Sequence, residues 1–135
     1  MLSSDDKIIG RWTFDEASDR LDDASEYDND ALLRGDVAAA PDGSISLDGS
    51  GDYVEIPNIA EYGVTHATIE VSFSVDALGG SQTIVSCDSN GYDDGGHFTM
   101  RVENDGSLWV HHQSDSQSYY ITVSAPKLLP RRITL

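Results

Sequence analysis

Basic residues are scarce in this chain: 2 lysines and 6 arginines stand against 18 aspartates and 6 glutamates, a formal net charge of -16 over 135 residues. A field of that sign repels phosphate backbones and anionic headgroups, so no nucleic acid and no anionic membrane is expected as a partner, while cations are attracted. An acidic surface also keeps a protein soluble in salty water, and charge alone does not separate the two uses. Cysteine is nearly absent. Cys87 stands alone, which excludes an intramolecular disulfide and argues against cysteine-based zinc sites; its expected place is that of a small buried hydrophobe. No apolar run approaches the roughly 20 residues that span a bilayer, so no membrane insertion is expected. The start, Met1-Leu2-Ser3-Ser4-Asp5-Asp6, lacks the basic and apolar segments of a secretory signal peptide. Secretion would then rest on a removed leader, a larger parent protein or a non-classical route.

Catalytic signatures are missing as well. Gly-x-Ser-x-Gly and phosphate-cradling Gly-Lys-Ser/Thr loops do not occur, and His66, His97, His111 and His112 form no zinc-site spacing. His111 and His112, as strand neighbours, point to opposite faces and cannot clamp one ion.

What is present is short alternation of apolar and polar residues between Gly/Asp/Asn/Ser clusters, the pattern of an all-β protein. A first strand is expected over Ile8–Phe14, with Trp12 in the core beside Ile8 and Phe14. An acidic loop follows from Asp15 to Asp30. Ser44–Leu47 and Tyr53–Ile56 read as a hairpin-like pair joined by Asp48-Gly49-Ser50-Gly51-Asp52, with Asp48 and Asp52 as turn formers. Ala67–Val75 alternates best, with Ile69, Val71, Phe73 and Val75 inward. Further strands are expected over Thr83–Cys87, Phe98–Val102, Ser107–His112 and Tyr119–Val123, and Asn104-Asp105-Gly106 signals a tight turn. Eight or nine short strands imply two packed antiparallel sheets. Residues 1–125 carry all 24 acidic side chains and five basic ones, while residues 126–135 add three basic and none acidic. The expected division is a β-sandwich domain over 1–125 and a basic or foreign tail over 126–135.

From Gly10-Arg11-Trp12-Thr13-Phe14-Asp15-Glu16 onward, the order of motifs resembles the laminin-G-like members of the concanavalin A-like lectin and glucanase superfamily. Leu47-Asp48-Gly49-Ser50-Gly51-Asp52-Tyr53-Val54-Glu55-Ile56 is the most specific segment, and Gly95-Gly96-His97-Phe98-Thr99-Met100-Arg101-Val102 extends it. The resemblance covers about residues 8–124 and implies a two-sheet jelly-roll sandwich. The C-terminal aromatic-His-His-Val and aromatic-Val-Asp-Gly strands of that family do not occur here. An incomplete sandwich would leave strand edges unpaired, so self-association into a homo-oligomer through sheet edges is expected.

Two loops offer oxygen ligands for calcium, which takes six to eight. One is Asp88-Ser89-Asn90-Gly91-Tyr92-Asp93-Asp94-Gly95-Gly96, with Asp88, Asn90, Asp93 and Asp94 as donors; a solvated Asx-rich turn is the alternative. The other follows the first strand, with Asp22 and Asp28. The resemblance adds that laminin-G-like domains often hold calcium at a loop rim. For sugar stacking, the aromatic candidates are Tyr92, Trp109, Tyr119 and Tyr120. Retaining glucanases of the superfamily carry Glu-x-Asp-x-(x)-Glu on one strand, and the six glutamates here, at 16, 26, 55, 61, 70 and 103, form no such set. The expected function is therefore a non-catalytic carbohydrate- or glycoprotein-binding, calcium-dependent adhesive module of a larger extracellular or cell-surface protein. The alternative is an assembly module that meets a protein partner through an exposed sheet edge.

Overall fold

Eleven strands and no helix make up the described part of the chain, in agreement with the alternation of its sequence. The computed structural model describes residues 7–15, 18–40, 42–57, 68–87, 97–114, 117–123 and 133–134. Every strand pairing is antiparallel, and the chain divides into two units, Met1–Ala67 and Thr68–Leu135. The all-β, antiparallel class is the one expected.

In the first unit, β1 (Arg20–Leu21), β2 (Ala31–Arg34) and β5 (Tyr53–Glu55) form a sheet in the order β1-β2-β5, and β3 (Ala38–Ala40) pairs with β4 (Ser44–Ser46). Leu21 and Ala31, opposite each other in register, are buried. Two expectations change here. The segments around Ser44 and Tyr53 do not pair with each other. Asp42-Gly43, with Gly43 at a φ of 76°, offers β4 a nearer partner in β3 through a shorter loop, which leaves β5 to pair with β2.

Residues 8–14 form no strand. Their backbone is tied instead to the acidic loop: Arg11 N–H donates to Asp23 Oδ1 at 2.8 Å and Ala24 N–H to Arg11 O at 2.8 Å. Trp12 is half-buried, its indole N–H donating to Asn29 O at 3.0 Å. Its ring lies over Gly10, where an added Cβ would come within 2.9 Å of Trp12 Cζ2, so a side chain at residue 10 would displace the indole.

In the second unit, β7 (Gln82–Cys87), β8 (His97–Val102), β9 (Leu108–Ser114) and β10 (Gln117–Val123) form a sheet in the order β10-β9-β8-β7. A two-stranded ribbon joins β6 (Ser72–Phe73) with β11 (Ile133–Thr134), so part of the 126–135 segment belongs to this ladder. Met100, Val102 and Leu108 form the core. Val71, Phe73 and Val75 pack on it, together with Ile84, Val85, Phe98 and Val110. Full burial of an apolar side chain of this size contributes roughly 1.5–3 kcal/mol, and the partly buried ones contribute less. Inward Val71, Phe73 and Val75 follow the expected alternation, but only Ser72–Phe73 is strand, and Ile69 is exposed.

The β8–β9 hairpin turns through Asn104-Asp105-Gly106. Gly106 has a φ of 81°, Gly106 N–H donates to Glu103 O, and Glu103 N–H to Ser107 O, both at 2.9 Å. Cys87, expected to be buried, is exposed. It ends β7 opposite Phe98 and is not among the described residues that pack on the Met100-Val102-Leu108 cluster.

Candidate functional site

Strand alternation gives the four-stranded sheet two unlike faces. Phe98, Met100, Val102, Leu108 and Val110 point to the core. Thr99, Arg101, Trp109, His111 and Gln113 occupy the other face. Register sets Arg101 opposite Trp109 and Thr99 opposite His111. The Arg101 guanidinium lies over the Trp109 ring, 3.9 Å from its centroid, and the His111 ring is 5.3 Å from the indole at a 46° tilt. His111 is fully buried, whereas Arg101 and Trp109 are partly exposed.

Glu103 fixes the guanidinium: Arg101 Nε–H donates to Glu103 Oε1, and Ser81 Oγ–H donates to Glu103 Oε2 at 2.8 Å. These two bonds, Arg101 first, hold the Glu103 carboxyl below its ordinary value. Asp105 is lowered by the Ser107 hydroxyl and then by the Ser107 N–H, which stiffens the turn under the pair. A flat cation held over a half-buried indole gives a surface on which the guanidinium N–H groups lie beside the exposed part of an aromatic ring. Such a surface suits a ligand that offers C–H on one side and oxygen acceptors at its rim.

A second constellation lies in the first unit. One carboxylate oxygen from each of Asp36, Asp48 and Asp52 sits within 4.8 Å of the others. Asp52 organises the group, accepting Asp36 N–H at 2.9 Å and Asp48 N–H at 3.2 Å. The Asp48 and Asp36 N–H groups, in that order, lower its carboxyl. Three hard oxygens at this spacing match part of the shell of an oxygen-seeking divalent cation.

The acidic loop is built differently. Asp23 is buried, and both its oxygens are occupied: Oδ1 accepts Arg11 N–H at 2.8 Å and Ser25 N–H at 2.9 Å, while Oδ2 accepts Ser25 Oγ–H at 2.6 Å and Asn29 N–H at 2.9 Å. Burial pushes the Asp23 carboxyl up, but the Ser25 hydroxyl and the three backbone N–H groups together bring it below its ordinary value. Asp30 accepts Asp23 N–H at 2.9 Å and pairs with Arg20.

Of the residues singled out in the sequence, Trp109 lies on the polar sheet face. Tyr119 and Tyr120 stand on β10 opposite His112 and His111; only their backbone positions are described. Asp22 is exposed, 3.6 Å from Arg20 Nε, and Asp28 is exposed with a φ of 53°. Asp88, Asn90, Tyr92, Asp93 and Asp94 lie outside the described residues. Sequence reasoning missed Arg101, although the turn at Asn104-Asp105-Gly106 sets it level with Trp109. It also missed Asp36 as a neighbour of Asp48 and Asp52.

The fold therefore defines an antiparallel all-β protein with a polar, aromatic sheet face. No protein-family model and no curated protein matches the chain. Among solved structures it is similar to an S-layer domain-containing protein (residues 221–444) from Clostridium thermocellum, with a TM-score of 0.72 and 24% identity over 86% of this chain. The chain spans 57% of that structure, and the likeness is one of fold.

Proposed function

We propose that the chain is a non-catalytic glycoconjugate-binding module of a surface-associated protein, receiving its ligand at Arg101 and Trp109. The observation that carries this reading is the placement of the pair on the sheet face away from the core, with Glu103 holding the guanidinium over the indole. A sugar ring supplies the matching chemistry, with hydroxyls for the guanidinium N–H groups and C–H groups for the exposed part of the indole. Strands β7 to β10 contain no aspartate or glutamate, so they supply no carboxylate pair for glycoside hydrolysis. The fold neighbour is described as S-layer domain-containing, which supports a cell-surface or extracellular setting.

Calcium enters this reading as a separable component, with Asp36, Asp48 and Asp52 as the described residues that would hold it and a stiffened loop as its effect. A glycan panel with the wild-type chain and the Trp109→Ala and Arg101→Ala variants tests the binding site. Retention of one glycan class, lost in both variants with the fold intact by circular dichroism, supports it. No retention by the wild type, or unchanged retention by both variants, overturns it.

A further inference from the structure

The four-stranded sheet ends on β10, and among the described residues β9 is its single hydrogen-bonded neighbour. A strand with one partner presents a row of backbone N–H and C=O groups along its other side. The two edges of this sheet differ. β7 carries a register shift between Thr83 and Val85, the kind of irregularity that disrupts further pairing. β10 pairs regularly over all seven residues, Gln117-Ser118-Tyr119-Tyr120-Ile121-Thr122-Val123, with no charge and no proline. It is also rich in β-branched and aromatic residues, which suits it to one more strand.

We infer that β10 is a homodimer edge, pairing antiparallel with β10 of a second copy about a two-fold axis at Tyr120 to make an eight-stranded sheet. The inference is independent of the glycan reading. Charge selects a second copy as the occupant. Two chains of net charge -16 repel wherever carboxylates meet, yet strands β7 to β10 carry none. This edge is therefore one along which copies can approach without carboxylate facing carboxylate in the strands. An antiparallel strand meeting itself is also self-complementary, as a two-fold interface requires.

The register makes the test specific. Pairing centred on Tyr120 sets Ser118 of each copy opposite Thr122 of the other. The mass of the intact chain, followed by sedimentation from micromolar to millimolar concentration, should rise from monomer to dimer. Added salt should strengthen the dimer, since screening removes long-range repulsion. The double variant Ser118→Lys with Thr122→Lys puts lysine against lysine at both positions and should weaken dimerisation about tenfold or more. Ser118→Lys with Thr122→Glu puts opposite charges in the same places and should restore it to near the wild-type level. Thr83→Lys, on β7, should leave it unchanged. Circular dichroism checks that each variant is folded. A wild type that stays monomeric, a lysine pair that still dimerises, a lysine–glutamate pair no better than the lysine pair, or loss of the dimer in Thr83→Lys would each overturn the inference.

Discussion

Asn29 donates its backbone N–H to Asp23 Oδ2 at 2.9 Å while its side-chain Nδ2 reaches Ile9 O at 2.8 Å. Through this pair, two buried polar residues tie down residues 9–12 without a neighbouring strand. Buried polar groups are tolerated when every donor and acceptor is met, and Asp23 meets four donors.

Asp23→Ala removes the acceptor from three backbone N–H groups at once and should destabilise the protein by on the order of 3 kcal/mol; Asp23→Asn, which keeps one oxygen, should cost less. Urea denaturation measures both. Because the folded carboxyl is lowered from 3.8, its contribution is complete above that value and is lost as pH falls through the lowered one. An acid melt of wild type should show this loss, and Asp23→Ala should lack that part of the pH dependence.

Calcium at the Asp36-Asp48-Asp52 group should raise the melting temperature at millimolar concentration, with reversal by EDTA, because an ion that binds only the folded state stabilises it by mass action. Asp36→Asn with Asp48→Asn should abolish the rise. A rise that survives in the double variant would place the ion elsewhere.

Gly35 and Gly49 should respond differently to alanine. Both have positive φ, 88° and 80°, which alone costs a side chain roughly 1–2 kcal/mol. A Cβ at Gly35 would also meet Asp52 Oδ1 and come within 2.8 Å of Gly51 O, whereas one at Gly49 has nothing within 4 Å. Denaturant midpoints should therefore fall further for Gly35→Ala, which also displaces the carboxylate that accepts Asp36 N–H.

Glu103→Gln should leave the sheet intact but loosen Arg101 from Trp109. In a Trp12→Phe background, Trp109 emission reports this directly. In the same Trp12→Phe background with Glu103 intact, that spectral change should also appear on acidification. Glu103 is lowered from 4.5, so its hold on Arg101 is complete above that value and is lost as pH falls through the lowered one. An emission spectrum indifferent to both changes would contradict the geometry.

The sequence made the local parts legible. Asn104-Asp105-Gly106 marks the β8–β9 hairpin, and equal steps from that turn set Arg101 beside Trp109. The alternation at Val71, Phe73 and Val75 marks the face that packs on the core. What escaped depends on contacts across the chain. Ile8–Phe14 alternates like a strand, but Asp23 and Asn29 satisfy its backbone, and nothing in the local pattern announces them. Asp36 joins Asp48 and Asp52 because β2 pairs with β5: Arg34 opposite Tyr53 brings the segment after β2 alongside the one before β5. The hairpin first expected between β4 and β5 hid that register.

One consequence follows from where the carboxylates of the second unit lie. Glu70, Asp76, Asp88, Asp93, Asp94, Glu103, Asp105 and Asp115 all fall between or ahead of its strands, and none falls within β7 to β10. In a chain still being made, β7, β8 and β9 thus have acidic residues on both sides in sequence and β10 has Asp115 ahead of it, the placement of anionic gatekeepers. Collisions between unfinished copies are repelled, while strands of one chain can zip together without bringing charge against charge.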